Sequence, residues 1–164
     1  MAETQSILTL NGGSSSLKFA LFENTQTLTR QLSGQIERIG LPDAQLKVTH
    51  HATQQTEKQA VAAPNHAACV EPLAKVLAQH TDLAQLAAIG HRIVHGGSRF
   101  SEPTRLTAEV LTELRRISPF DPEHLPAEIS VIEAFAQRYP ELNQIGCFDT
   151  AFHHTLPRVA KLLP

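Results

Sequence analysis

The chain has 164 residues, of which 41% are hydrophobic and 18% charged, with a formal net charge of −2. That length can bury a real core in one domain, and the near-balanced charge with no run of Lys or Arg leaves no electrostatic footprint for nucleic acid. The apolar stretches are too short to span a bilayer, so no membrane partner is expected, and Met1–Gln5 lacks the basic flank and long apolar stretch of a secretory leader. Cys69 and Cys147 both fall in apolar segments. Two cysteines so placed are expected to be buried, reduced thiols of a cytoplasmic protein.

In chain order, the opening third reads as strands. Ser6–Leu10 and Leu17–Glu23 flank a glycine turn, Leu28–Ile36 follows the polar turn at Asn24–Gln26, and Ala44–His50 alternates around Leu46 and Val48. His51–Pro64 has no clear period and reads as loop or frayed strand. Asn65 is placed to cap a helix whose Val70, Leu73, Val76 and Leu77 share one face. Leu86–Ile89 is a short buried strand. Thr107 opens a second helix carrying Val110, Leu111, Leu114 and Ile117, and Ser118-Pro119 ends it. Pro126 suits the first turn of a third helix with Ile129, Ile132, Phe135 and Ala136 as its apolar stripe, and Tyr139-Pro140 stops it. A last strand, Gln144–Phe148, delivers Asp149. A meander followed by crossovers with helices gives an α/β fold, a mixed sheet with helices packed on it.

Three polar motifs stand at the ends of these strands, where α/β sheets tend to build sites. In Asn11-Gly12-Gly13-Ser14-Ser15-Ser16-Leu17-Lys18, two glycines allow a sharp turn and close approach to a ligand, and hydroxyls, a carboxamide and an ammonium follow at once. That inventory suits an oxyanion, most plainly a phosphate. A strand follows instead of a helix, so this is not a Walker A loop. In Gly90-His91-Arg92-Ile93-Val94-His95-Gly96-Gly97, Arg92 is a forked, permanent cation able to grip a carboxylate or phosphoryl group in two places. If extended, this segment sends Arg92 and Val94 one way and His91, Ile93 and His95 the other, setting the cation beside a small apolar surface. In Cys147-Phe148-Asp149-Thr150-Ala151-Phe152-His153-His154, a carboxylate just past a buried strand suits Mg²⁺ or the orientation of a reacting group. Each motif also has a plain structural explanation: a polar hairpin turn, a surface Arg, a turn or cap Asp.

Taken in order and spacing, the three motifs resemble the acetate and propionate kinase family over almost the whole chain. The resemblance implies an actin-like, ribonuclease H-like fold and reversible, Mg²⁺-dependent phosphorylation of acetate by ATP, giving acetyl phosphate. It places Asn11 near the transferring phosphoryl group and Ser14, Ser16 and Lys18 in the phosphate-binding hairpin. Arg92 would hold the acetate carboxylate or steady the phosphoryl oxygens, and Val94 would line the methyl pocket. Asp149 would orient Mg²⁺, with Asn11 as a further metal-side candidate. Two departures stand out. Ser118–His124 replaces the Ala-Pro-Leu-His-Asn-Pro-like segment of the family, putting Phe120 where a pocket Leu is usual and Asp121 where a His is usual. The family also carries a second, adenosine-binding domain, so residues 1–164 are expected to be an N-terminal domain that does not turn over alone. A homodimer is implied for full-length members, with the second domain as an intramolecular partner.

Four other readings stand beside this one. A histidine-bound zinc would draw on His91/His95 and His153/His154, although glycines flanking Ile93-Val94 argue against the helix that would align the first pair. A short-chain acyl kinase other than for acetate, or a non-catalytic interaction domain, fits the same motifs. A serine hydrolase fits least, because no Gly-x-Ser-x-Gly elbow is present.

Overall fold

The computed structural model describes residues 5–83 and 86–152. β1 (Ser6–Gly12), β2 (Ser16–Glu23), β3 (Thr29–Glu37), β4 (Gln45–His50) and β5 (Gln55–Ala60) form an antiparallel meander. A 3-10 turn at Ala67–Cys69 leads into α1 (Val70–Leu77) and then β6 (Ala88–Ile93), the two-residue β7 (Thr104–Arg105) and α2 (Ala108–Ile117). A second 3-10 turn, Ser118–Phe120, precedes α3 (Leu125–Arg138), β8 (Gln144–Phe148) and the one-turn α4 (Asp149–Phe152). The strands make one eight-stranded sheet in the order β5-β4-β3-β2-β1-β6-β8-β7. β6 lies parallel to β1 and β8 parallel to β6, so both junctions need crossovers, and the helices supply them.

Strand alternation sends Leu8, Leu10, Leu17, Phe19, Leu21 and Ile89 to one face, where they pack with Leu73 and Leu77 of α1 and with Val131 and Phe135 of α3. A second cluster joins Ile93 and Phe148 to Leu111, Leu114 and Ile117 of α2 and Leu125, Ile129 and Ile132 of α3. Each such side chain contributes roughly 1.5–3 kcal/mol on burial. The opposite face carries Thr9, Lys18, Gln35, Lys47 and Arg92 and forms one wall of a cavity of about 570 Å³.

The caps fall where the sequence puts them. Asn65 Oδ1 accepts from the Ala68 N–H at 2.9 Å, Thr107 Oγ1 accepts from the Val110 N–H at 3.4 Å, and Pro126 sits in the first turn of α3. The strands differ from expectation at β1, β5, β6 and β7. β5 occupies part of the segment read as loop or frayed strand; all six of its residues are exposed at the sheet edge, so no burial pattern marks it. β1 runs on to Gly12, because ladder bonds to Leu17 and Lys18 need no apolar side chain. β6 starts later than the apolar run suggests and ends at Ile93, while β7 is too short to show a period.

His91 points into the helix-covered side. Its Nε2–H donates to Gln144 Oε1 at 2.7 Å, and Gln144 Nε2–H donates on to the Ile132 carbonyl at 3.1 Å, joining β6, β8 and α3. Burial, only partly offset by Gln144, brings the His91 pKa down to about 4. The folded value lies below the unfolded one of about 6.5, so the stability this residue contributes is complete above pH 6.5 and is lost as the pH falls through 4. Urea unfolding is expected to show a loss of about 3 kcal/mol across that window that disappears in His91→Gln. An identical pH dependence in the variant would contradict the burial of a neutral ring.

Candidate active site

The sheet register assembles the site. Asn11 stands opposite Lys18 on β2 and opposite Arg92 on β6, and Arg92 stands opposite Cys147 on β8. These four residues form a row across the open face, with successive strands about 4.8 Å apart. Arg92 is gripped from two sides. Its Nε and Nη2 donate to Asp149 Oδ1 and Oδ2 at 3.0 and 2.6 Å, and its Nη1 donates to Asn11 Oδ1 at 3.1 Å. Asp149 reaches it because α4 begins immediately after β8. The Arg92 and Asp149 side chains remain 49% and 32% exposed. A pair that wet contributes about 0–1 kcal/mol to stability, so its consequence is orientation. Nη1 and Nη2 each keep a second N–H for an incoming oxyanion.

Lys18 lines the same cavity as Asn11 and Arg92. Ser14 is exposed in the turn between β1 and β2, and Ser16 opens β2. The turn is closed by the Gly13 N–H donating to the Ser16 carbonyl at 2.7 Å, and it is tied to the next loop by the Ile39 N–H donating to the Ser15 carbonyl at 3.0 Å. Neither glycine takes a left-handed backbone, since the positive-φ glycines are Gly40 and Gly97. Space explains Gly13 instead, since a Cβ there would sit 3.0 Å from Ser16 Oγ, whereas one at Gly12 would only reach van der Waals contact with Glu128 at 3.4 Å.

Val94 lies just past β6, half-buried. Phe120 ends the 3-10 turn before α3, is 78% exposed and stands outside both core clusters. The thiols divide. Cys69 is buried, and burial pushes it up to about 12, whereas Cys147 is exposed. The expectation of two buried thiols fails at Cys147 because β8 turns Gly146 and Phe148 toward the helices and Cys147 toward the open face.

Sequence reasoning missed Glu128. It is 4% exposed, its Oε1 accepts from the Val94 N–H at 3.4 Å, and its Oε2 is buried without a partner. Asp121 Oδ2, on the turn before α3, is likewise buried and unpartnered. Burial pushes the Glu128 pKa up to about 7; Asp121 and Asp149 add to the rise, while the Val94 N–H and Arg92 oppose it. The available signal was position, because Glu128 falls in helical step with Leu125, Ile132 and Phe135 on the buried stripe of α3.

Magnesium favours oxygen ligands and keeps waters while using one or two carboxylates plus phosphates. Asp149 and Asn11 offer that chemistry, although in this conformation Arg92 engages both. Among the described residues no group of three or more His, Cys, Asp or Glu could hold a metal ion. Of the histidines weighed for zinc, His91 is committed to Gln144, and His153 and His154 lie outside the described residues.

Comparison with known proteins adds an independent line. The family model described as the Acetokinase family matches residues 6–164. Acetate kinase of Deinococcus radiodurans is 43% identical over 153 residues, which cover 93% of this chain and 38% of that protein. Among solved structures, Porphyromonas gingivalis acetate kinase superposes with a TM-score of 0.85 at 34% identity, covering 93% of this chain and 39% of that one. A propionate kinase from Francisella tularensis gives 0.83 at 35% identity with the same coverage. The chain thus spans well under half the length of these relatives.

The Glu128 carboxyl has a folded pKa raised above its unfolded value of about 4.5, so its contribution is complete below pH 4.5 and is lost as the pH rises through 7. Glu128→Gln is expected to be more stable than the parent by about 3 kcal/mol at pH 8 relative to pH 4.5, read by urea unfolding at both values. Equal pH dependence of the two proteins would show that the carboxyl is not held as described.

Proposed function

Since this chain belongs to the acetokinase family, with that family's actin-like fold, we propose that its Arg92–Asp149–Asn11 site serves the reversible transfer of the ATP γ-phosphoryl group to acetate. The single observation that carries this is the Arg92 fork, held by a carboxylate on one side and a carboxamide on the other, with N–H groups left for a ligand. A carboxylate oxygen of acetate forms a bond to the γ-phosphorus, the bond to the bridging oxygen of ADP breaks, and acetyl phosphate results. A carboxylate nucleophile needs no strong base, so the work is positioning and charge neutralisation.

In this assignment Arg92 binds the acetate carboxylate and the developing charge on the phosphoryl oxygens, while Asn11 keeps the guanidinium planar to the cleft. Ser14, Ser16 and Lys18 bind phosphate oxygens from the hairpin, and Val94 and Phe120 border the acyl group. Asp149, with Asn11 beside it, would hold Mg²⁺ alongside a bound nucleotide, and the ion would supply charge neutralisation for the phosphoryl oxygens. Propionate is the second acceptor to consider, because a propionate kinase lies as near in structure as the acetate kinase does.

We further assign residues 1–164 one half of the phosphate clamp, with the adenosine side supplied by sequence that the longer relatives carry beyond the matched region. Hydroxamate trapping of acetyl phosphate tests both parts. The chain alone should give no turnover, and mixing it with the separately produced remainder of a relative should give activity that Arg92→Ala lowers about 100-fold or more. Full activity of the isolated chain would overturn the half-clamp assignment. A reconstituted activity indifferent to Arg92→Ala would overturn the site.

A further inference from the structure

The turn that offers phosphate donors is supported by a residue far away in sequence. His66, just before the 3-10 turn at Ala67–Cys69, lies 2.7 Å through Nε2 from the Gly13 carbonyl, a contact that spans 53 residues. A carbonyl only accepts, so Nε2 carries the hydrogen and donates it. Gly13 is then held through both of its backbone polar groups, its N–H given to the Ser16 carbonyl and its carbonyl taken by His66. With Ile39 donating to the Ser15 carbonyl, the carbonyl oxygens of Gly13, Ser15 and Ser16 all have protein donors. The amides of Ser14 and Ser15 have no acceptor among the described residues, and both residues are exposed.

This is an asymmetric arrangement. Carbonyl oxygens repel an anion and here are occupied by protein donors, while the successive Ser14 and Ser15 amides, in an exposed turn, remain available to one. A turn whose carbonyls were free could rotate a peptide and present oxygen to the phosphate instead. Holding it in advance removes an ordering cost from the binding step.

We propose that His66 is a positioning residue that holds the Gly13–Ser16 turn in its phosphate-accepting form. The role rests on the assignment of that turn to phosphate binding and adds a residue outside all three sequence motifs. His66 itself does not touch the ligand. It acts through the Gly13 carbonyl, and what it needs is an N–H at the reach of Nε2.

The test uses the full 164-residue chain, ¹⁵N-labelled, titrated with inorganic pyrophosphate, reading the Ser14 and Ser15 amide signals. The parent should show saturable shifts at both, His66→Ala should weaken binding about five- to tenfold, and His66→Gln, which keeps a side-chain N–H, should recover most of it. Equal affinity of parent and His66→Ala would overturn the proposal while leaving the turn's assignment intact. A parent with no response at these amides would overturn that assignment, and the proposal with it. Should His66→Ala fail to fold, the ring ¹⁵N spectrum of the parent decides. An Nε2–H tautomer that responds to pyrophosphate supports the clamp, and an Nδ1–H tautomer, which cannot donate to Gly13, contradicts it.

Discussion

Parallel pairing of β1, β6 and β8 is the constraint on which the site depends. It brings three strand ends level, so that Asn11, Arg92 and Cys147 stand in register and Asp149 follows one residue past β8, two residues beyond Cys147. Arg92 then spans the group, with two bonds to Asp149 and one to Asn11. None of these contacts is deep enough to matter much for folding. Their effect is to restrict a long side chain to one orientation, which spares a ligand the entropy of ordering it. The helix-covered face provides the rigidity. Ile89, His91 and Ile93 of β6 are buried while Arg92, one residue away from two of them, is exposed.

The same alternation explains why the two faces differ so sharply. Apolar side chains on one face meet α1, α2 and α3, while polar and cationic ones on the other border a cavity. Glu128 is the exception, a carboxyl placed on the helix-covered side beneath Gly12 and beside Val94. A buried carboxyl with one unpartnered oxygen weakens the fold wherever it is ionised. Its place at the strand ends, within electrostatic reach of Arg92 and Asp149, ties that cost to the site.

Much of this was legible in the sequence, and the limits have physical causes. The caps at Asn65 and Thr107, the boundary at Pro126 and the strand Gln144–Phe148 were all readable, because each depends on local backbone chemistry or simple alternation. The glycine turn, the Arg92 segment and the Asp149 segment were readable as motifs, and their resemblance to one family agrees with the Acetokinase match over residues 6–164. β5 was not clearly readable, since an edge strand exposed on both faces carries no burial pattern. The steric reason for Gly13 was also hidden, because its close approach to Ser16 Oγ exists only once the chain is folded. His66 and Glu128 escaped for a related cause. Each acts on a backbone group distant in sequence, and neither sits in a motif.

The most direct measurement is the NMR signal of the Arg92 Nε–H in arginine-labelled protein during titration with acetate. Saturable movement of that resonance, suppressed by competing phosphate, is the expected result for a guanidinium poised between Asp149 and Asn11 to receive an oxyanion. Acetate binding that leaves the Arg92 signal unmoved, or no binding at all, would contradict the assignment of this strand-end cluster as the anion site.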